Sequence, residues 1–192
     1  MAQTAPSLSS TEIAKIAERL RRSGKPIVLV GLMGVGKSTV GRKLAAMLDR
    51  DFTDADSEIE LAAQRSVAEI FEEYGEAYFR DGERRVIARL IQEKRGVIAT
   101  GGGAFVDDET RALILDEAIA VWIDCAVETL VERTSRKNTR PLLQTGDPHE
   151  ILSALAEARE PFYSQSQIRV QSMDGPHEDT AIRIIEGLDQ WL

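Results

Sequence analysis

Short apolar runs alternate with longer segments of helical periodicity along this chain. Apolar runs predict strands at 27–30, 97–100, 118–123 and 167–172, with a shorter and weaker candidate at 52–54. Strands that alternate with helices predict an α/β fold, a parallel sheet with helices on both faces. Ligands of such folds bind beyond the carboxyl ends of the strands. We therefore expect the functional residues in the loops after Val30, Thr53, Thr100 and Ile123.

Polar capping residues mark where the predicted helices begin: Ser9, Ser66, Asp107 or Asp108, and Asp147. A Glu three residues after Ser9 and after Ser66 completes a capping box in each case. Gly75 is expected to end the helix that starts at Ser66, and a longer helix is expected from about 76 to 94. Three further helices are predicted. One lies at 40–48, one runs from after the strand at 118–123 to about 133, and one lies at 178–190.

Composition narrows the class of protein. The chain has 192 residues, enough for one domain with its own core. It carries 24 Lys and Arg against 32 Asp and Glu, a net charge of −8, which disfavours non-specific binding to nucleic acid. One cysteine and two histidines exclude an intramolecular disulfide and a metal site rich in these residues, and they suit a reducing cytoplasm.

The first 25 residues are expected to form a helical extension in front of the main domain, which spans 26–192. Residues 10–22 are amphipathic, with several arginines on the polar face. A membrane-surface helix is one interpretation, but the apolar stripe is short and lacks aromatic anchors, so packing on the domain is favoured. With no signal-like or spanning segment, we expect a cytoplasmic monomer without a membrane partner.

A phosphate-binding loop is predicted at 31–38, between a strand and a helix. Its sequence, GLMGVGKS, matches G-x-x-x-x-G-K-[ST]. Glycines allow backbone N–H groups to turn toward phosphates, and the following helix N-terminus adds positive potential. Lys37 is expected to reach the terminal phosphates and Ser38 to bind Mg²⁺. The nucleotide-contacting set is Gly34, Val35, Gly36, Lys37, Ser38 and Thr39.

Two further motifs follow predicted strands. Asp54 and Asp56 point the same way if strand geometry continues, so that one could serve the Mg²⁺ shell and the other orient or deprotonate a hydroxyl. The alternative is that both acids cap the next helix. Gly101, Gly102 and Gly103 end the third strand, where they allow close approach of the backbone to a ligand or form a flexible turn.

These motifs occur in an order that resembles the shikimate kinase family. The resemblance covers about 27–175 and rests on the phosphate loop, Asp-Ala-Asp, the Gly-Glu-x-x-Phe-Arg segment ending at Arg80, Thr-Gly-Gly-Gly, and Arg-Pro-Leu-Leu from Arg140. It implies a three-layer P-loop kinase fold with a five-stranded parallel sheet. It also implies a helical substrate subdomain at about 55–95 and a mobile lid at about 134–147.

The resemblance also implies a reaction and roles. Members transfer the γ-phosphoryl group of ATP, with Mg²⁺, to the 3-hydroxyl of shikimate, a step toward the aromatic amino acids. It assigns Asp54 to the Mg²⁺ shell and Asp56 to the substrate hydroxyls, as a candidate base. Arg80 and Arg159 map to the arginines of the substrate carboxylate, and the three glycines to its backbone contacts. Arg140 maps to the lid and Arg133 to an adenine-stacking position.

Two alternatives stay open on the sequence. Another small-molecule kinase of the same fold, such as a gluconate kinase, would share the phosphate loop and lid. A nucleotide-binding regulatory protein is the second alternative, since the third strand lacks the metal-binding Asp usual in P-loop ATPases. Against it, the stretch from Arg133 to Gly146 carries four cations and no acid, as a phosphate clamp would.

Overall fold

A computed structural model describes residues 8–93, 96–135, 146–173 and 175–192. Within these ranges the chain alternates helices and strands. The order is α1 (Ser10–Ser23), β1 (Ile27–Val30), α2 (Lys37–Met47), β2 (Phe52–Asp54), α3 (Ala55–Ala63), α4 (Val67–Gln92), β3 (Val97–Ala99), α5 (Asp108–Glu117), β4 (Ile119–Asp124), α6 (Val127–Ser135), α7 (Pro148–Tyr163), β5 (Ile168–Gln171) and α8 (His177–Trp191).

The five strands form one parallel sheet in the order β2-β3-β1-β4-β5. Both faces are covered by helices, which is why β1 and β3 are apolar and buried at every position. The prediction of a parallel α/β fold with five strands is confirmed. The carboxyl ends of β1, β2 and β3 lie side by side, which brings the phosphate loop, the two acids and the three glycines to one edge.

Most predicted elements are confirmed, including the short strand at 52–54. Ser9, Ser66, Asp107 and Asp147 each cap a helix as expected. Gly75 interrupts α4, where its φ of 80° and ψ of 175° break the helix into two segments.

Helix α3 is missing from the prediction. It is only nine residues long and has two buried residues, Ala55 and Ile59, so the sequence shows little periodicity there. Because the helix begins immediately after β2, the assumption that strand geometry continues through Asp56 is wrong.

The N-terminal helix packs on the domain. Ile16, Ala17 and Leu20 of α1 are buried in the main core, and Arg19 forms a 2.5 Å ion pair with Asp189 of α8. The interpretation of α1 as a helix packed on the domain is therefore confirmed. None of the helices in the described ranges is long and apolar enough to span a membrane.

Candidate active site

The phosphate loop has the backbone that its glycines allow. Gly31 lies so close to β4 that a Cβ atom would sit 2.5 Å from the Ile123 carbonyl oxygen. Gly36 has a φ of 92° and precedes α2, so the N-terminus of that helix opens onto the loop. Lys37 Nζ donates to the carbonyl oxygens of Gly31 at 2.7 Å and Leu32 at 2.9 Å. The loop thus holds its own lysine over the predicted phosphate position.

A cavity of about 430 Å³ lies at this edge of the sheet. Its lining includes predicted nucleotide, metal and substrate residues: Gly34, Gly36, Lys37, Ser38, Thr39, Asp54, Asp56, Gly101, Gly102 and Arg133. Val35 of the phosphate loop does not line the cavity, because its side chain is buried in the core. The structure therefore brings together residues that the sequence placed in four separate motifs.

Ser38 and Asp54 form a pair suited to a metal ion. The Ser38 hydroxyl donates to Asp54 Oδ2 at 2.6 Å, and Oδ1 of the same carboxylate accepts the Asp56 backbone N–H at 3.1 Å. Both interpretations of Asp54 are thus compatible, because it caps α3 while facing the phosphate loop. In the part of the chain described, no group of three or more His, Cys, Asp or Glu could hold a metal. A hydroxyl and one carboxylate fit Mg²⁺, which takes oxygen ligands and keeps several waters.

Asp56 lies in the first turn of α3, and its carboxyl group is largely buried. Its Oδ1 atom is buried and accepts no hydrogen bond from the described residues. Burial raises the pKa of this carboxyl, the negative charge of Asp54 raises it further, and the cation of Lys37 opposes the shift. A carboxylate with a raised pKa and an unused acceptor beside a phosphate loop has the properties of a general base.

Glu83 is a site residue that the sequence analysis did not identify. It is 1% exposed, and its Oε2 atom accepts from Arg80 Nη1 at 2.6 Å. Oε1 has no partner in the described ranges, and burial raises the pKa of this carboxyl, against the opposing charge of Arg80. In the sequence Glu83 looks like one more charge on a helix with many acids. The signal in the sequence is its spacing of three residues from Arg80, because oppositely charged residues at this spacing on a helix can form an ion pair.

The three glycines form a floor under the predicted substrate residues. A Cβ atom on Gly101 would lie 2.9 Å from Asp56 Oδ1 and equally close to Glu83 Oε1. At Gly103 it would overlap the Arg80 guanidinium group. The absence of a side chain on these glycines thus leaves room for functional side chains. The segment packs closely against Asp56, Glu83 and Arg80, in contrast to the alternative of a flexible turn.

Arg159 meets the same floor from α7. Its Nη1 atom donates to the Gly102 carbonyl oxygen at 3.0 Å, and the Tyr163 hydroxyl donates to the same oxygen. Arg80 of α4 and Arg159 of α7 therefore approach one glycine segment from two elements that are far apart in sequence. Two guanidinium groups, an acid and nearby backbone make a polar surface suited to a small carboxylate that carries hydroxyls.

Arg133 lies at the other end of the cavity. Its guanidinium group donates to Ser172 Oγ at 3.1 Å and to the Met173 carbonyl oxygen at 2.9 Å, which ties α6 to the segment after β5. Its assignment to adenine stacking stays a prediction. Arg140 and most of the predicted lid lie outside the described residues, although the described helix α6 extends to Ser135.

A phosphate loop that faces paired acids and a glycine floor, at the carboxyl edge of a parallel sheet, defines a P-loop kinase of a small molecule. The family model described as shikimate kinase matches residues 33–189. A shikimate kinase of Novosphingobium aromaticivorans is 58% identical, and the alignment covers all of both chains. The chain belongs to the shikimate kinase family.

Solved structures agree with this assignment. A shikimate kinase from Acinetobacter baumannii in complex with shikimate superposes with a TM-score of 0.82 at 38% identity, covering 86% of this chain and 93% of the other. A gluconokinase from Sinorhizobium meliloti superposes with a TM-score of 0.54 at 17% identity, covering 87% and 93%. The second likeness concerns the fold alone.

Proposed function

We propose that this protein phosphorylates the 3-hydroxyl of shikimate with ATP, forming shikimate 3-phosphate for aromatic amino acid biosynthesis. One observation carries the proposal beyond the family assignment. Arg80, Arg159 and Asp56 meet a single glycine floor beside the phosphate loop. Shikimate is a small carboxylate with three hydroxyls, so two arginines and an acid match its functional groups.

The nucleotide end of the site consists of the phosphate loop and α2. Backbone N–H groups and the helix N-terminus attract the phosphates, and Lys37 exchanges its two carbonyl contacts for phosphate oxygens. Ser38 and Asp54 would hold Mg²⁺, directly or through its waters. That ion would neutralise phosphate charge. These residues position the γ-phosphoryl group toward Asp56.

The acceptor end holds the hydroxyl that attacks. Asp56 accepts a hydrogen bond from this hydroxyl through its buried oxygen and takes the proton as the oxygen–phosphorus bond forms. The bond between the γ-phosphorus and the bridging oxygen breaks, and ADP leaves with that oxygen. Arg80 and Arg159 hold the substrate carboxylate, while Glu83 holds the Arg80 guanidinium in place.

We also propose the boundaries of a substrate subdomain and of a lid. Residues 55–95, which include α3 and α4, form the substrate subdomain, and residues 134–147 form a lid that excludes water during transfer. We also propose that the protein acts as a cytoplasmic monomer without a nucleic-acid or membrane partner. The net charge of −8 supports the absence of a nucleic-acid partner.

The proposed reaction is tested by measuring ADP release in a coupled assay with shikimate and with gluconate in parallel. Turnover with shikimate alone is the expected result. Turnover with gluconate alone would assign the chain to the alternative kinase. ATP binding without turnover on either compound would favour the regulatory alternative.

Arg80→Ala is expected to raise KM for shikimate by about 10- to 100-fold with a smaller effect on kcat, because charged hydrogen bonds to the substrate carboxylate are lost. Steady-state kinetics with varied shikimate measure this effect. Arg85→Ala is the matched control, since Arg85 lies on the same helix and pairs with Asp81 on the exposed surface. An unchanged KM in Arg80→Ala would remove Arg80 from the site.

Arg140→Ala is expected to lower kcat by about 10²-fold or more, as for loss of an arginine that stabilises the transferring phosphoryl group. The dissociation constant of ATP should change little, because the phosphate loop still binds the nucleotide. Single-turnover kinetics and equilibrium titration separate the two quantities. Unaltered turnover would contradict the assignment of Arg140 to the lid.

A further inference from the structure

His177 is a residue of the nucleotide cavity to which neither the motifs nor the mechanism assigns a role. It is the first residue of α8 and lines the same cavity as the phosphate loop. Its ring packs on Gly36, where an added Cβ atom would lie 3.0 Å from Cε1 and 3.4 Å from Nδ1. In the sequence it looks like an ordinary residue at a helix start. Packing of α8 on α2 brings it to the phosphate loop.

One nitrogen of this ring has no hydrogen-bond partner among the described residues. Nδ1 is buried and forms no hydrogen bond with any residue in the described ranges. An unpaired buried nitrogen is costly, so its retention beside a predicted phosphate site points to a ligand that pairs with it. This observation is independent of the helix terminus on which His177 lies.

Positive charge surrounds the ring in the described structure. Burial lowers the pKa of His177, and Arg133 of α6 and Lys43 of α2 lower it further. Lys37 faces the same cavity. Among the acids, Glu178, next along α8, lies 4.0 Å from Lys43, and Asp54 and Asp56 line the same cavity. The N-terminal end of α8 also disfavours a cation at this position. The ring is therefore held neutral near pH 7.

A nucleotide would reverse this balance, because a di- or triphosphate introduces several negative charges at the phosphate loop, against which the His177 ring packs. We infer that His177 is a nucleotide-binding residue that takes up a proton from solvent when a nucleoside di- or triphosphate occupies the phosphate loop. The inference rests on the proposed function, since it requires nucleotide at this loop. Nucleotide affinity is then linked to pH and rises as the pH falls through the range in which His177 titrates.

The sign of the linkage follows from the two states. Without nucleotide the positive surroundings keep the ring neutral, and with nucleotide the phosphates favour the imidazolium form. Binding should therefore be accompanied by net proton uptake, which shrinks as the pH rises above the range in which His177 titrates. A ring with only a packing role would be buried further by the nucleotide, which lowers its pKa and gives no uptake.

The chain makes the test direct because it contains only two histidines, His149 and His177. His149 is exposed on α7, about 3.9 Å from Glu128, and serves as the internal reference. The Cε1–H resonances of the wild-type protein are followed by NMR from pH 5 to 8 with and without MgADP, and a His149→Asn variant assigns the peaks. We expect MgADP to move the midpoint of His177 upward, while the His149 resonance provides the chemical-shift reference.

Calorimetry with MgADP in two buffers of different ionisation enthalpy gives the second readout. The wild-type protein should show proton uptake, and His177→Asn should bind MgADP with less uptake. If MgADP binds and the His177 midpoint stays or falls, the inference is overturned while the proposed function stands. If MgADP does not bind the wild-type protein, the proposed function falls as well.

Discussion

Asp56→Asn is expected to remove most of the turnover while making the folded protein more stable. An amide cannot take the hydroxyl proton, so kcat should fall by about 10²- to 10⁴-fold, the usual contribution of a general base. The affinity for MgADP should change little, because the phosphate loop is untouched. Steady-state kinetics and nucleotide titration test these two statements.

The stability gain follows from the raised pKa of Asp56. Burial, and then Asp54, raise the pKa of this carboxyl above its value in the unfolded chain. Such a group contributes most to stability below its unfolded pKa, and that contribution is lost as pH rises through the folded pKa. At pH 7 the ionised form therefore destabilises the fold, and Asn removes this cost. We expect Tm at pH 7 to rise by about 2–4 °C, which corresponds to about 1 kcal/mol for a domain of this size.

Thermal unfolding between pH 4 and 7 checks the sign. The difference in Tm between Asp56→Asn and wild type should grow as pH rises and shrink near pH 4. The pKa of Glu83 is raised by burial in the same direction, so both the wild-type protein and Asp56→Asn should lose stability toward neutral pH through that residue. A variant less stable than wild type at pH 7, or one that retains kcat, would contradict the account of Asp56.

Gly101→Ala is expected to lower kcat/KM for shikimate by about 10²-fold or more while the fold is retained. The added methyl group would lie 2.9 Å from both Asp56 Oδ1 and Glu83 Oε1, closer than a Cβ atom tolerates. Both neighbours are ends of side chains, so they move and the backbone stays. Displacing a base and the partner of an arginine by about 1 Å costs about this much in rate.

Gly82→Ala is the matched control. Gly82 lies in α4 with nothing within 4 Å of an added Cβ atom, so this variant should retain wild-type kinetics. It should also gain up to about 1 kcal/mol in stability from the better helix propensity of Ala. Circular dichroism and steady-state kinetics on both variants test the comparison. Equal activity of Gly101→Ala and wild type would mean that the glycine floor does not position the reacting groups.

The phosphate loop is predictable from the sequence because its functional residues lie within one short segment. The segment 31–38 is short enough that the backbone alone brings together Gly31, Gly36, Lys37 and Ser38. Phosphate binding requires these residue types. The capping boxes at Ser9 and Ser66 were predicted for the same reason, because they need contacts over only three residues.

Glu83 and His177 show why other parts of the site could not be predicted. Glu83 has the character of an exposed helix acid until α4 packs against the glycine floor, which buries it to 1% exposure. His177 reaches the phosphate loop only because α8 packs on α2, which is 130 or more residues away in the sequence. Burial of this kind depends on which helices meet, and a pattern within one segment contains no such information.

The sequence by itself determined the fold class, the nucleotide loop and the family, because each depends on residue types at short, fixed spacings. The tertiary structure decided how the acids and arginines are used. It placed Asp54 both as a helix cap and against Ser38, left one oxygen of Asp56 buried and unpaired, and set Arg80 and Arg159 on one floor. These properties arise because residues from distant segments come into contact and are shielded from water. They exist only once the sheet and its helices have packed.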